Sequence, residues 1–345
     1  MKHPEAFGLA GLAMSIFLAW PASADPRHAD WGHVDAHLAS MMERHDLDGL
    51  SLVVGFGDEV YHERYLGDDR PDTVRVAASA TKLVVAATLL TLVDDGHLTL
   101  DTRASSYLAY LQPRYRDVTL RHMLAHTSGM SEDHGLDQDH AVPLWVSAHA
   151  LSLTLPLNPP GGQVNYGGAG FANAGLLAET ATGTGWRDLF AHRIAGPLGL
   201  EDTYFSHPTS PGRQLDSVNV NLSGGLLISS RDYRRILASL TGGGTRILSP
   251  SMVAEMTRHQ SANADRSDMP GPIPADGGTG LGVWCEDIRI DGSCGLVHSL
   301  GAYGALPWID YEAGVFAVLL MEGESLRELL PDLRELQRRV REAAR

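Results

Sequence analysis

Ser79 and Lys82 stand three residues apart in the stretch RVAASATKLVVAATLL, residues 75–90, and together they can supply a nucleophile and its base. On a helix, positions i and i+3 share a face, so the hydroxyl and the amine can meet. The free N–H groups and the positive dipole end at a helix start favour negative charge on the serine oxygen. Burial disfavours an ammonium ion, and a lysine can shed its proton under that pressure whereas a guanidinium keeps it. Composition sharpens the point: of 27 Lys and Arg residues only Lys2 and Lys82 are lysine. A neutral amine beside a hydroxyl is a general base beside a nucleophile. The same tetrapeptide also fits a plain helix cap with a lysine reaching out to solvent, so the surrounding elements have to decide.

Residues 83–93 are apolar apart from Thr88 and Thr91 and end at Asp94-Asp95-Gly96; a helix apolar on every side is a buried helix. Val34, Leu38, Met41 and Met42 recur at helical spacing and predict an amphipathic helix over residues 31–44. LSLVVGFGDEVYHERYLG alternates around residues 55–58 and predicts a β-hairpin. Residues 98–205 carry helical patterns broken by Pro and Gly, among them VTLRHMLAHTSGM. GGLLISSRDYRRILASL reads as a helix after a turn and RILSPSMVAEM as another, before strand patterns return at LGVWCEDIRI, GLVHSL, GALPWIDYE and GVFAVLLME. Leu330, Leu333, Leu336 and Val340 mark one side of a closing helix. Strands at both ends with helices between them predict one α+β domain over residues 25–345: an antiparallel sheet built from the N- and C-terminal segments (about 25–97 and 206–345), flanked by helices, with a mostly helical insertion at about 98–205.

Residues 1–24 have the pattern of a cleaved export signal: Lys2 and His3, an apolar run over residues 6–20, and Ala22-Ser23-Ala24. The expectation is a periplasmic or secreted protein without a stable membrane anchor. A net charge of −15 argues against nucleic acid or anionic lipid as partners. Cys285 and Cys294 flank the turn signal Asp291-Gly292 between two strand-like runs, so an oxidising compartment predicts a hairpin disulfide without a catalytic role. His33 with His37, and His122 with His126, have i, i+4 spacing but lack a third ligand in a recognisable pattern, so no metal and no other cofactor is expected. The acidic stretch at residues 131–140 is expected to be a solvated loop at the edge of a lid.

Further stretches give Ser79-Ala80-Thr81-Lys82 a context. VDDGHLTLDTRASSYL, VTLRHMLAHTSGM, PPGGQVNYGGAGFANAG, AGPLGLEDTYF, GGLLISSRDYRRILASLTGGGTRILSPSMVAEM and the run through HSLGAYGALPWID follow one another over most of the chain. Together they resemble the serine β-lactamase and penicillin-binding-protein superfamily, and most of all its class C-like branch, which also contains esterases and D-aminoacyl peptidases. The resemblance implies three motifs around one cleft. The first gives Ser79 as nucleophile and Lys82 as base. In the second, Tyr166-Gly167-Gly168 stands for the usual Tyr-x-Asn, with Tyr166 sharing the proton traffic and helping to protonate the leaving group. The third falls in VHSLGAYG: with Gly301 as its glycine, Ser299 and Leu300 replace the usual Lys and Thr, and His298 lies one residue early. The backbone N–H groups of Ser79 and Ala302 would form the oxyanion hole.

Two departures bear on the substrate. Gly168 replaces an amide that holds an acylamino group in relatives, and Ser299-Leu300 replaces the cation and hydroxyl that bind a carboxylate. Charge-assisted hydrogen bonds of that kind are worth about 1.5–3 kcal/mol each. The expected function is therefore an exported serine hydrolase cleaving a small-molecule ester, amide or peptide through an acyl-enzyme, with an ester or neutral amide favoured and no protein partner required. The alternatives are a β-lactamase or D,D-peptidase using the same chemistry, and a catalytically degenerate binding or sensor protein.

Overall fold

The alternating run near the N-terminus forms β1 (Gly49–Phe56) and β2 (Glu59–Gly67), and β1 pairs antiparallel with β10 (Val315–Met321), setting Val53 opposite Val318. The computed structural model describes residues 26, 29–130, 139, 141–206, 218–243, 246–267, 269–270 and 273–345. The expected export signal and, Asp139 apart, the acidic stretch at 131–140 lie outside them. From β10 the sheet continues antiparallel through β9 (Leu306–Asp310), β8 (Cys294–His298), β7 (Trp284–Ile288) and β6 (Gly278–Thr279), giving seven strands in the order β2-β1-β10-β9-β8-β7-β6. N- and C-terminal segments thus share one sheet, as the hydrophobic pattern predicts. Cys285 and Cys294 are joined by a disulfide across the β7–β8 hairpin.

Both faces of the sheet are covered, which is why β10 is apolar on every residue and β1 departs from this only at Ser51, while both still divide their side chains by parity. Leu50, Leu52 and Val54 of β1 and Val315, Ala317 and Leu319 of β10 pack in one core with α1 (Gly32–Arg44) and α10 (Leu326–Ala343). The intervening Val53, Phe316, Val318 and Leu320 pack in the other core, around α2 (Thr81–Asp94). In α10 the buried apolar side chains are Leu329, Leu333, Leu336 and Val340, with Gln337 buried beside them; Leu330 is only partly buried, because the stripe follows a 3.6-residue period that Leu329 fits better. His33 and His37 of α1 bond through Nε2 with the carbonyls of Arg339 and Asp332 at 3.1 and 2.9 Å, so this pair docks α1 on α10.

α2 is buried along nearly its whole length, and each fully buried Leu or Val contributes roughly 1.5–3 kcal/mol. Around it gather α3 (Leu120–Leu124), α4 (Leu144–Leu151), α5 (Ala169–Thr182), and α6 (Trp186–Phe190), which runs through a π turn at Ala191–Ala195 into α7 (Gly196–Leu198). α8 (Ser230–Leu240) and α9 (Pro250–Met256) follow. GGLLISSRDYRRILASL differs from the sequence expectation: its first half is β5 (Leu226–Ser229), centre of a second, three-stranded sheet between β3 (Val74–Val76) and β4 (Thr203–Phe205), and only the second half is helix. The β-branched Ile228 and the Ser229 N-cap, which accepts from the Asp232 N–H, divide the two.

Candidate active site

Ser79 does not lie in the first turn of α2 but in the 3₁₀ turn Ala78–Ala80 that leads into it. Ala78, immediately before it, has φ +45°, a left-handed conformation that costs a non-glycine residue about 1–3 kcal/mol. The turn is held there from several sides. Ala77 N donates to Leu226 O at 2.9 Å and the Tyr233 hydroxyl to Ala80 O at 2.7 Å, while Thr81 Oγ1 accepts from Leu226 N at 3.1 Å. Ser299 Oγ donates to the carbonyl of Ser79 itself at 3.1 Å.

Lys82 is 4% exposed, and its Nζ reaches Ser79 Oγ at 3.2 Å, Tyr166 Oη at 3.1 Å and the carbonyl of Ser223 at 2.8 Å. A carbonyl can only accept, so Ser223 takes one N–H and turns the rest of the amine toward the two hydroxyls. Those hydroxyls can each give or take a proton. The arrangement lines up Ser79 Oγ, Nζ and Tyr166 Oη as three groups between which a proton can pass.

Tyr166 is positioned by the HTSG stretch. Asn165 N donates to His126 O, Gly161 N to Thr127 O and Leu157 N to Gly129 O, at 2.7–2.8 Å. Gly129 has φ +72°, and a Cβ there would stand 2.2 Å from Asn158 O, so this approach requires glycine. The His126 ring packs against the rings of Tyr166, Phe171 and Trp284 with centroids 4.7, 5.2 and 5.9 Å away. Burial, with Lys82 nearby, pushes the His126 imidazole down to about 3, so it is neutral at physiological pH.

Ser79 and Tyr166 open onto a cleft of about 170 Å³ whose remaining walls are Trp284, Leu300, Ala302, Ile273, Pro270 and Leu326. Among these described lining residues no side chain is charged. The Ala302 N–H, in the turn closed by Gly301 N to Ala305 O at 2.7 Å, makes no hydrogen bond among the described residues and borders the cleft beside Ser79.

The Beta-lactamase family profile matches residues 34–341. The chain belongs to the Beta-lactamase family. It is 30% identical over 190 residues to penicillin-binding protein 4 of Amycolatopsis lactamdurans, covering 50% of this chain and 49% of the relative. It is 28% identical over 269 residues to lovastatin esterase of Penicillium rubens, covering 60% and 66%. The chain thus spans about half to two thirds of the length of these curated relatives. A crystal structure of a putative beta-lactamase from Bacteroides dorei superposes with a TM-score of 0.80 and 27% identity, covering 91% of this chain and 99% of that one.

The third motif of this family member departs from the sequence expectation. His298 is not a cleft residue: it is 1% exposed and its Nε2 bonds Glu286 Oε1 at 2.7 Å, while Arg334 of α10 donates to the same carboxylate at 2.8 and 3.0 Å. Burial alone would raise the Glu286 pKa, but the His298 and Arg334 contacts prevail and hold it down at about 2. His298 shares strand parity with Leu296, which packs in the core under α10, and an imidazole in that layer needs a buried carboxylate as partner. Ser299, its neighbour, turns the other way to Ser79. Gly301 is demanded by packing, since a Cβ would stand 2.3 Å from Ala77 O. Gly168 is buried at the N-cap of α5, lining with Asn221 and Ser223 a separate recess of about 10 Å³, so it also lies off the cleft wall.

Three contributors escape motif-based reasoning. Ser223 acts through its carbonyl, which any residue type could offer; the clue in the sequence is the Asn219-Val220-Asn221 run, whose amides build the turn. His126 spaces four residues from His122, but the two have different partners: His122 Nδ1 bonds Thr119 in a capping box, while His126 is in the aromatic cluster. Trp284 is legible only as a strand residue beside Cys285.

Proposed function

We propose that this protein is an exported serine hydrolase that opens an ester or a neutral amide through an acyl-enzyme. The observation that carries the proposal is the Lys82 amine within hydrogen-bond reach of both the Ser79 and Tyr166 oxygens, at 3.2 and 3.1 Å. Ser79 Oγ attacks the carbonyl carbon while its proton passes to Lys82 and Tyr166. The N–H groups of Ser79 and Ala302 meet the negative charge on the carbonyl oxygen. The bond to the leaving group breaks, and that group departs with the proton delivered through Tyr166. Water then adds to the acyl-enzyme, the bond to Ser79 breaks, the acid leaves, and Ser79 recovers its proton.

The preference for an ester or neutral amide rests on Ser299, whose hydroxyl is engaged with the Ser79 carbonyl, and on the uncharged lining. A substrate carboxylate would lack a charge-assisted partner among the described cleft residues. Similarity to a lovastatin esterase agrees with this preference, while similarity to a penicillin-binding protein supports a second reading, a β-lactamase or D,D-peptidase with the same residues. The Cys285–Cys294 disulfide supports export, because such bonds persist in oxidising compartments. Turnover of p-nitrophenyl esters, nitrocefin and D-Ala-p-nitroanilide by wild type and Ser79→Ala tests the proposal. Ester hydrolysis lost in Ser79→Ala is expected; hydrolysis unchanged in that variant would refute it, and nitrocefin turnover above ester turnover would favour the second reading.

A further inference from the structure

We infer, resting on the hydrolase reading above, that Glu286 is a positioning residue: acting through His298, it sets the course of residues 299–302, and with it the Ser79 turn and the Ala302 N–H. His298 is the last residue of β8, paired with Trp284 on one side and Trp308 on the other. The residues that follow it serve the site one after another. Ser299 N donates to Pro307 O at 3.1 Å and Ser299 Oγ to Ser79 O at 3.1 Å, Leu300 and Ala302 line the cleft, and Gly301 N donates to Ala305 O at 2.7 Å. Where His298 sits therefore decides where these four residues run.

The His298 ring has one polar anchor. Its Nδ1 makes no hydrogen bond among the described residues, so Nε2 alone holds the ring, 2.7 Å from Glu286 Oε1. An ionised carboxylate only accepts, so Nε2 carries the hydrogen. Arg334 in turn donates to Oε1 at 2.8 Å and to Oε2 at 3.0 Å, the two-pronged geometry that fixes a carboxylate in its plane. Arg334 belongs to α10, the helix whose first residue, Leu326, is a wall of the cleft. One hydrogen-bonded chain thus ties α10, β7 and the end of β8 together behind the cleft. The layer around it is apolar, with Leu296, Leu300, Trp308, Leu329 and Leu333 in the same buried cluster. Apolar residues of similar volume can often replace a buried ionic group without loss of stability, so the chain is accounted for by the single arrangement it imposes on its partners. None of its three side chains is among the described cleft residues, so they act through residues 299–302 and not on substrate.

Steady-state hydrolysis of p-nitrophenyl acetate by wild type, Glu286→Gln, Ser299→Ala and the double variant tests this, with urea unfolding measured beside it. Glu286→Gln keeps the volume and an acceptor for His298 but loses the charge that Arg334 grips. A displacement of the reacting groups by a fraction of an ångström is expected to lower kcat by about tenfold while KM stays within about twofold. Because Glu286 acts through the segment that carries Ser299, the double variant is expected to fall short of the product of the two single kcat losses by about threefold or more. Arg334→Met, at a side chain 31% exposed, takes the place of Glu286→Gln should that variant not fold, with the same kcat loss and the same shortfall expected. An unchanged kcat in the folded variant overturns the inference even where stability drops, and so do a loss confined to KM and kcat losses that simply multiply. A wild-type protein that turns over no ester fails the hydrolase reading itself, and the inference falls with it.

Discussion

The Ser299 hydroxyl donates to the carbonyl of Ser79 at 3.1 Å, tying the end of β8 to the turn that carries Ser79. A position where relatives are expected to carry a cation for the substrate is here turned inward to support Ser79. Removing the hydroxyl takes away the side-chain donor to a half-buried carbonyl that the Thr81 N–H also reaches. Ser299→Ala is predicted to lower stability by about 0.5–1.5 kcal/mol, read from urea unfolding, and to reduce kcat more than it raises KM, because the loss falls on the positioning of Ser79.

Asn221 has φ +31° and its Oδ1 accepts from the backbone N and Oγ of Ser223 at 3.2 and 2.9 Å. It thereby aims the carbonyl that holds Lys82. Asn221→Gly relaxes the backbone but removes the acceptor, and it is predicted to lower kcat by roughly 10- to 100-fold, the scale of a small misplacement in a catalytic group. Steady-state kinetics of Asn221→Gly beside Asn221→Ala distinguish the roles: equal losses implicate the amide, a loss confined to alanine implicates the backbone angle.

His126 gives stability a pH dependence. Its pKa is about 3 in the folded protein and about 6.5 in an unfolded chain. Between those values the unfolded state binds a proton that the folded state does not, so this contribution is complete above about 6.5 and is lost as pH falls. At pH 5 the loss from His126 amounts to about 2 kcal/mol. His126→Asn tolerates the left-handed backbone at φ +57°. Unfolding titrations at pH 7.5 and 5 should show a smaller difference for His126→Asn than for wild type.

The pairing of Ser79 with Lys82 was open to sequence reasoning because it needs only i, i+3 spacing and a buried helix behind it. The sheet was legible for a similar reason: β10 is apolar throughout and β1 nearly so, Ser51 apart, and both must be covered on both sides. Other features depend on choices that periodicity leaves open. Alternation says that His298 and Ser299 point opposite ways, but not which of them faces Ser79. Ile228 and Ser229 read as the approach to a helix because their strand partners, Arg75, Val74 and Thr203, are far away in the chain. The Ser223 carbonyl carries no side-chain signature at all.

The disulfide closes a loop with a sequence separation of 9 residues, for which chain-entropy arguments give about 2–3 kcal/mol. Neither cysteine is among the described cleft residues. Cys285→Ser with Cys294→Ser is predicted to lower the unfolding free energy, read from urea unfolding, by that amount while ester turnover persists at temperatures below the transition.

Lys82 is proposed to pass a proton between Ser79 and Tyr166, and the Lys82→Arg variant isolates that role. Arginine keeps the charge and nearly the reach but cannot act as the base. With circular dichroism showing a folded protein, ester kcat is expected to fall by about 10²–10⁴-fold. A Lys82→Arg enzyme working at close to the wild-type rate would contradict it.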